Sequence, residues 1–163
     1  MRYAGIIKND MSAAPGISVS FYTQGCPHRC PGCHNPTTWS FDGGKEFTYD
    51  TLVEVVEALT ANGVSRSLAI MGGEPLCDEN AFLTNLLITE VKRKLPETKV
   101  YIWSGYYYEE LVKSTNPRIN QILNQCDVLI DGPYIASERD ITLPMCGSSN
   151  QSIIDLKELR ENS

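Results

Sequence analysis

The chain has 163 residues, 42% of them hydrophobic, with 14 basic and 20 acidic side chains. This size favours one hydrophobic core, so residues 1–163 are interpreted as a single domain. The net charge of −6 argues against a non-specific nucleic-acid-binding protein, which needs basic surface to neutralise phosphates. No segment has the apolar length of a signal peptide or a membrane span. The protein is therefore expected to be cytoplasmic, where cysteines stay reduced.

Strand-like runs alternate with helical patterns along the chain. Strands are predicted at 17–23, 67–71, 99–103, 127–130 and 152–156. Helices are predicted at 49–61 and 78–95, with a weaker one between 107 and 124, and the charged tail 157–163 is expected to fray. Strands separated by helices favour an α/β fold with parallel strands. The length allows an incomplete (β/α) barrel, or an open curved parallel sheet of about five to six strands.

Four breaks in the pattern each follow a predicted strand directly. They are the cysteine loop after residue 25, Gly72-Gly73-Glu74-Pro75, Ser104-Gly105-Tyr106 and Asp131-Gly132-Pro133. In parallel α/β folds the catalytic and ligand-binding residues lie at the carboxyl ends of the strands. These four breaks are therefore expected to lie on one rim.

The cysteine loop has the spacing C-x3-C-x2-C, formed by Cys26, Cys30 and Cys33. A structural zinc finger would place a second ligand pair some 12 to 20 residues further on, and none follows. A zinc site completed by His28 or His34 stays open as an alternative, although such bunched ligands would be strained. An iron–sulfur cluster fits better because thiolates are its usual ligands. Three cysteines on a four-iron cluster leave one iron open to a substrate.

The second motif is the Gly72-Gly73-Glu74-Pro75 turn. On its own it could be an ordinary connection between a strand and a helix. Two glycines, however, allow the backbone to approach a ligand closely. Carbonyl groups at the end of a strand, together with the Glu74 carboxylate, suit an ammonium group.

The C-x3-C-x2-C loop after a strand resembles the radical S-adenosylmethionine superfamily. There a [4Fe-4S] cluster chelates S-adenosyl-L-methionine at its open iron and cleaves it to methionine and a 5′-deoxyadenosyl radical. The resemblance implies a cluster bound by Cys26, Cys30 and Cys33. It further implies cofactor contacts from the backbone of Gly32, Cys33 and His34, and an amino-group site at Gly72, Gly73 and Glu74.

Further stretches occur in the order seen in anaerobic ribonucleoside-triphosphate reductase-activating proteins. They are CPGCHN, GGEPL, SGY, DVLIDGPY and GSSNQSII. This resemblance implies a radical S-adenosylmethionine oxidoreductase that makes a glycyl radical on the large subunit of the anaerobic reductase. It also implies a low-potential electron donor such as flavodoxin. Two alternatives are a radical enzyme acting on a small molecule, like carboxydeazaguanine synthase, and a zinc-binding interaction module.

Other candidate residues have two interpretations each. Cys77, Cys126 and Cys146 are expected to be small core residues, with a second cluster or radical transfer as the alternative. Asp131 could contact cofactor hydroxyls or cap the Gly-Pro turn. Asn150 could bind a partner or satisfy local backbone groups. Gly32 stands where the superfamily often has an aromatic residue that packs on adenine.

Overall fold

The structure is a computed structural model that describes residues 1–163 as a seven-stranded sheet flanked by helices. The strands are β1 (Arg2–Asp10), β2 (Ser18–Thr23), β3 (Lys45–Glu46), β4 (Ser67–Gly72), β5 (Val100–Trp103), β6 (Val128–Asp131) and β7 (Ser152–Asp155). The α-helices are α1 (Tyr49–Leu59), α2 (Asp78–Lys94), α3 (Tyr108–Val112), α4 (Pro117–Gln125) and α5 (Leu156–Glu161). The predicted α/β fold is confirmed.

The sheet is open and mixed, with the spatial order β3-β1-β2-β4-β5-β6-β7. Strands β2, β4, β5 and β6 are parallel neighbours, as predicted. Strands β1 and β3 on one side and β7 on the other pair antiparallel. The sheet therefore has more strands than the predicted five to six, and its outer strands are not parallel.

Strand β1 is absent from the predicted elements. Its pairing with β2 is irregular, with register shifts between Tyr3 and Gly5 and between Ile7 and Asp10. Residues 7–9 are also exposed. The strand therefore lacks the regular apolar alternation from which strands are recognised in a sequence.

Helices α1, α2 and α4 share one hydrophobic core with one face of the sheet. Strand residues of this core include Phe21, Ile70 and Ile102, all fully buried. Helix α1 contributes residues at helical spacing, among them Leu52 and Val55. None of the helices is both long and apolar enough to cross a lipid bilayer.

The C-terminal region corrects two expectations. The tail predicted to fray forms α5, because the Asp155 side chain accepts a hydrogen bond from the Glu158 N–H at 2.9 Å and caps the helix. Arg160 then donates to the Leu123 and Cys126 carbonyls at 3.0 and 2.8 Å. The single weak helix predicted between 107 and 124 is two helices, α3 and α4, because Pro117 begins a new helix with Asn116 as its cap.

Candidate functional site

The four loops after the parallel strands meet on one rim, as predicted. The Glu74 N–H donates to the Gly25 carbonyl at 2.9 Å, which joins the loop after β4 to the cysteine loop. The Gly105 N–H donates to Glu74 Oε2 at 2.6 Å and joins the loop after β5. The Gly132 N–H donates to the Tyr106 carbonyl at 3.0 Å, which adds the loop after β6. A continuous hydrogen-bonded edge therefore runs beside the cysteine loop.

Cys26, Cys30 and Cys33 lie together on the loop after β2 as free, partly exposed thiols. A turn joins the last two, with the Cys33 N–H donating to the Cys30 carbonyl at 3.1 Å. No three His, Cys, Asp or Glu side chains of the chain converge closely enough to hold a single metal ion. A four-iron cluster does not need such convergence, because each thiolate binds a different iron.

Backbone amides point at two of these sulfur atoms. Burial raises the pKa of the Cys26 thiol, and hydrogen bonds from the backbone N–H groups of His28 and Arg29 oppose that rise. The Asn35 N–H lies 3.4 Å from Cys33 Sγ. Such donors stabilise a thiolate, and hydrogen bonds to sulfur are one means by which proteins tune iron–sulfur clusters. The chemistry of the loop therefore fits a cluster ligated by three cysteines.

The two glycines after β4 are required by contact with the cysteine loop. Gly72 has φ +103°, and a Cβ there would lie 2.7 Å from the Thr23 backbone. A Cβ on Gly73 would overlap the Gly25 carbonyl. The sequence predicts that these glycines let the backbone approach a ligand closely. In the structure they let it approach the backbone of the cysteine loop and the end of β2. The Gly73 carbonyl accepts no hydrogen bond from the chain.

Glu74 lies at the centre of the rim and is 1% exposed. Its Oε1 accepts hydrogen bonds from the Leu76 N–H at 2.8 Å and Ser104 Oγ at 2.9 Å. Its Oε2 accepts from the Gly105 N–H and lies 2.7 Å from His28 Nε2. The carboxylate therefore joins three of the four loops. The contribution of His28 is absent from the sequence interpretation.

The side of the cysteine loop that faces β6 meets an aromatic residue. A ring carbon of Tyr134 lies 3.5 Å from the place that a Cβ on Gly32 would take. The ring centroids of His34 and Tyr134 are 5.3 Å apart. An aromatic ring thus flanks position 32 although residue 32 is glycine. Tyr134 belongs to the DVLIDGPY stretch, but nothing local in the sequence links it to Gly32.

The other candidate residues have roles within the fold. Cys77 and Cys126 are buried, as expected, and burial raises the pKa of the Cys77 thiol to about 12, so it stays protonated at neutral pH. Cys146 is only partly buried, so the expectation of a core residue is wrong there. Asp131 accepts from the Tyr108 N–H at 2.8 Å and from the Ser152 N–H at 3.1 Å, so it joins neighbouring elements and does not cap the Gly-Pro turn. Asn150 donates to Tyr107 Oη at 3.1 Å and to the Pro133 carbonyl at 2.8 Å.

A pocket of about 660 Å³ borders the rim. Pro27 of the cysteine loop, Leu76 and Tyr106 line the side nearest the site. Asp78, Glu79 and Glu110 make much of the remaining wall acidic. The rim is thus open to solvent next to the cysteines.

Comparison with known proteins identifies the family. A family model described as a 4Fe-4S single cluster domain matches residues 13–154. The chain is 30% identical to the anaerobic ribonucleoside-triphosphate reductase-activating protein of Salmonella typhi, over 96% of this chain and 100% of that protein. It is 31% identical to the protein of that name from Vibrio cholerae, over 94% of this chain and 97% of that protein. It is 33% identical to the protein of that name from Enterobacteria phage T4, over 82% of this chain and 81% of that protein.

These matches cover the cysteine loop, the rim and nearly all of the sheet. The chain therefore belongs to the family of anaerobic ribonucleoside-triphosphate reductase-activating proteins.

Proposed function

We propose that this protein is a radical S-adenosylmethionine enzyme that activates an anaerobic ribonucleotide reductase by making a glycyl radical on its large subunit. The observation that carries the proposal is the loop of Cys26, Cys30 and Cys33, with amide donors at its sulfurs, on the rim beside Gly73 and Glu74. Membership of the activating-protein family supports the choice of substrate. Residues 1–163 would act as a single domain.

The three thiolates would hold a [4Fe-4S] cluster, which supplies one-electron reductive cleavage of S-adenosylmethionine when bound. The Gly73 carbonyl suits the amino group of that cofactor, and the Glu74 carboxylate, whose oxygens are already hydrogen-bonded within the chain, would add negative charge beside it. The backbone of Gly32, Cys33 and His34 would border its other side, next to Tyr134. These groups would orient the cofactor, and docking of the partner would exclude water from it.

The proposed substrate is a glycine within the reductase large subunit. The bound cofactor would supply the abstraction of one Cα hydrogen atom, which would leave the unpaired electron on the glycine and the hydrogen in 5′-deoxyadenosine. The loop from Pro27 to Thr37 is largely exposed, so a protein segment can approach it. The pocket next to Pro27 and Tyr106 adds room at the same edge. A low-potential donor such as flavodoxin would reduce the cluster.

The test combines anaerobically reconstituted protein, a chemical reductant, S-adenosylmethionine and the cognate reductase large subunit. We expect 5′-deoxyadenosine to form faster when the large subunit is present, because docking brings the target within reach and shields the radical. The large subunit should gain an electron paramagnetic resonance signal, and the Cys26→Ala variant should give none. Cleavage of the cofactor without a radical on the reductase would contradict the proposal and favour a small-molecule substrate. A colourless protein that binds zinc alone would contradict it as well.

A further inference from the structure

The Glu74 carboxylate receives its hydrogen bonds from three different loops. The Leu76 N–H belongs to its own loop, and Ser104 Oγ and the Gly105 N–H belong to the loop after β5. The fourth partner, His28 Nε2 at 2.7 Å, comes from the cysteine loop, between Cys26 and Cys30. Because Glu74 is buried and accepts from rigid backbone on the other side, it is a stationary anchor for His28.

The His28 ring also packs closely against Gly105 and Tyr106. Its Cδ2 lies 2.5 Å from the place that a Cβ on Gly105 would take, so any larger residue at 105 would displace the ring. The edge of the Tyr106 ring packs on it, with centroids 4.5 Å apart at 70°. The His28 side chain is 17% exposed in this position. The contact is therefore packed as well as hydrogen-bonded.

The rest of this part of the cysteine loop makes few other contacts, chiefly the Arg29 guanidinium over the Trp39 ring at 5.6 Å and Gly32 beside Tyr134. Pro27, Arg29, Pro31 and Gly32 are exposed. Between residues 27 and 32, the His28 side chain is the one that hydrogen-bonds to another loop. The position of Cys30 relative to the rim therefore depends strongly on this one side chain.

We propose that His28 is a positioning residue that docks the cysteine loop onto the rim by bonding to Glu74. Glu74 then holds the cysteine loop in place through His28, in addition to its proposed role in the cofactor site. Docking is a property of the cluster-free chain, so it does not depend on the proposed function. Its consequence for cluster retention does rest on that function.

The first experiment measures loop docking directly in the cluster-free protein. Trypsin can cut after the exposed Arg29, inside the loop, and after Lys94 at the end of α2, outside it. Loss of a hydrogen bond to a charged group should raise the rate of cutting at Arg29 about tenfold in His28→Ala, with the rate at Lys94 unchanged. His28→Gln, whose amide can donate from a similar position, should return the Arg29 rate towards wild type. Thr37→Ala, which removes an exposed side chain of the same loop that makes no hydrogen bond, should have no effect.

Two results would overturn docking through His28. One is an unchanged rate of cutting at Arg29 in His28→Ala. The other is equal acceleration at Arg29 and Lys94, which would mean that the variant opens as a whole.

The second experiment follows iron release to a chelator after anaerobic reconstitution. His28→Ala should assemble the cluster but lose iron about tenfold faster than wild type, and His28→Gln should restore slow release. Equal release rates in His28→Ala and wild type would overturn the link to cluster retention. A wild-type protein that binds no iron would instead refute the proposed function and leave the proteolysis result intact.

Discussion

Gly73 packs directly against the backbone of Gly25. A Cβ added to Gly73 would overlap the Gly25 carbonyl oxygen, and the next residue donates its N–H to that same oxygen at 2.9 Å. The ends of β2 and β4 are thereby joined where the cysteine loop begins. The place of Cys26 relative to the rim depends on this junction.

Gly73→Ala should therefore destabilise the protein. The new methyl group meets backbone that cannot rotate away, and strain of this kind costs about 1–3 kcal/mol. Thermal unfolding of the cluster-free variant should show a lower midpoint than wild type. Gly5→Ala is the matched control, because a Cβ there has no neighbour within 4 Å. Equal midpoints for the two variants would contradict the junction.

The cysteines should divide into two groups of three. Alanine at Cys26, Cys30 or Cys33 should abolish the iron–sulfur absorbance after anaerobic reconstitution, because each supplies one thiolate. Alanine at Cys77, Cys126 or Cys146 should spare it, since the first two are buried within the fold and all three lie outside the loop that carries the proposed ligands. Loss of absorbance in the second group would overturn the assignment of ligands.

Glu74→Ala should leave a protein that still assembles the cluster but binds S-adenosylmethionine more weakly. The variant loses the negative charge beside the amino group and the hydrogen bonds that hold the rim loops around it, and a hydrogen bond to a charged group contributes about 1.5–3 kcal/mol, or roughly tenfold or more in affinity. Equilibrium binding to the reconstituted protein measures the change. Glu79→Ala removes a nearby exposed carboxylate and should bind like wild type. An unchanged dissociation constant in Glu74→Ala would remove Glu74 from the cofactor site.

Asp10 should make stability depend on acidic pH. Burial by itself would raise the pKa of Asp10, but hydrogen bonds from Ser20 and Ser12 outweigh it and hold the pKa below its ordinary value of 3.8. The charged form is thus favoured in the folded state. Its contribution to stability is present above the unfolded pKa and is lost as pH falls through the folded pKa.

Asp10→Asn should consequently be less stable than wild type at neutral pH, with a difference that narrows below about pH 4. Denaturant unfolding at a series of pH values measures this. A difference that stays constant down to the most acidic condition would show that Asp10 does not act through its charge.

The central strands, α1, α2 and the rim were predictable because their signals are local. Apolar residues such as Ile70 and Ile102 recur with the periods of buried strands, and the loops after them must share an edge in a parallel sheet. The spacing of the cysteines is local too.

The remaining features depend on contacts between distant parts of the chain. His28 and Glu74 are 46 positions apart, and no sequence motif around His28 indicates that it bonds to Glu74. The ring of Tyr134 reaches Gly32 only after β6 has been placed in the sheet. Helix α5 was missed because Arg160 looks like part of a solvated tail until the carbonyls of Leu123 and Cys126 are beside it.

The most direct test of the proposed activity is the isotope dependence of the radical on the reductase. Reduced protein, S-adenosylmethionine and the cognate large subunit, mixed without oxygen, should give an electron paramagnetic resonance doublet from one α-hydrogen. The doublet should collapse to a singlet when the large subunit is labelled with α-deuterated glycine. A sample that cleaves the cofactor and leaves the reductase without a radical, or a signal that the label does not change, would contradict a glycine in the partner as the substrate.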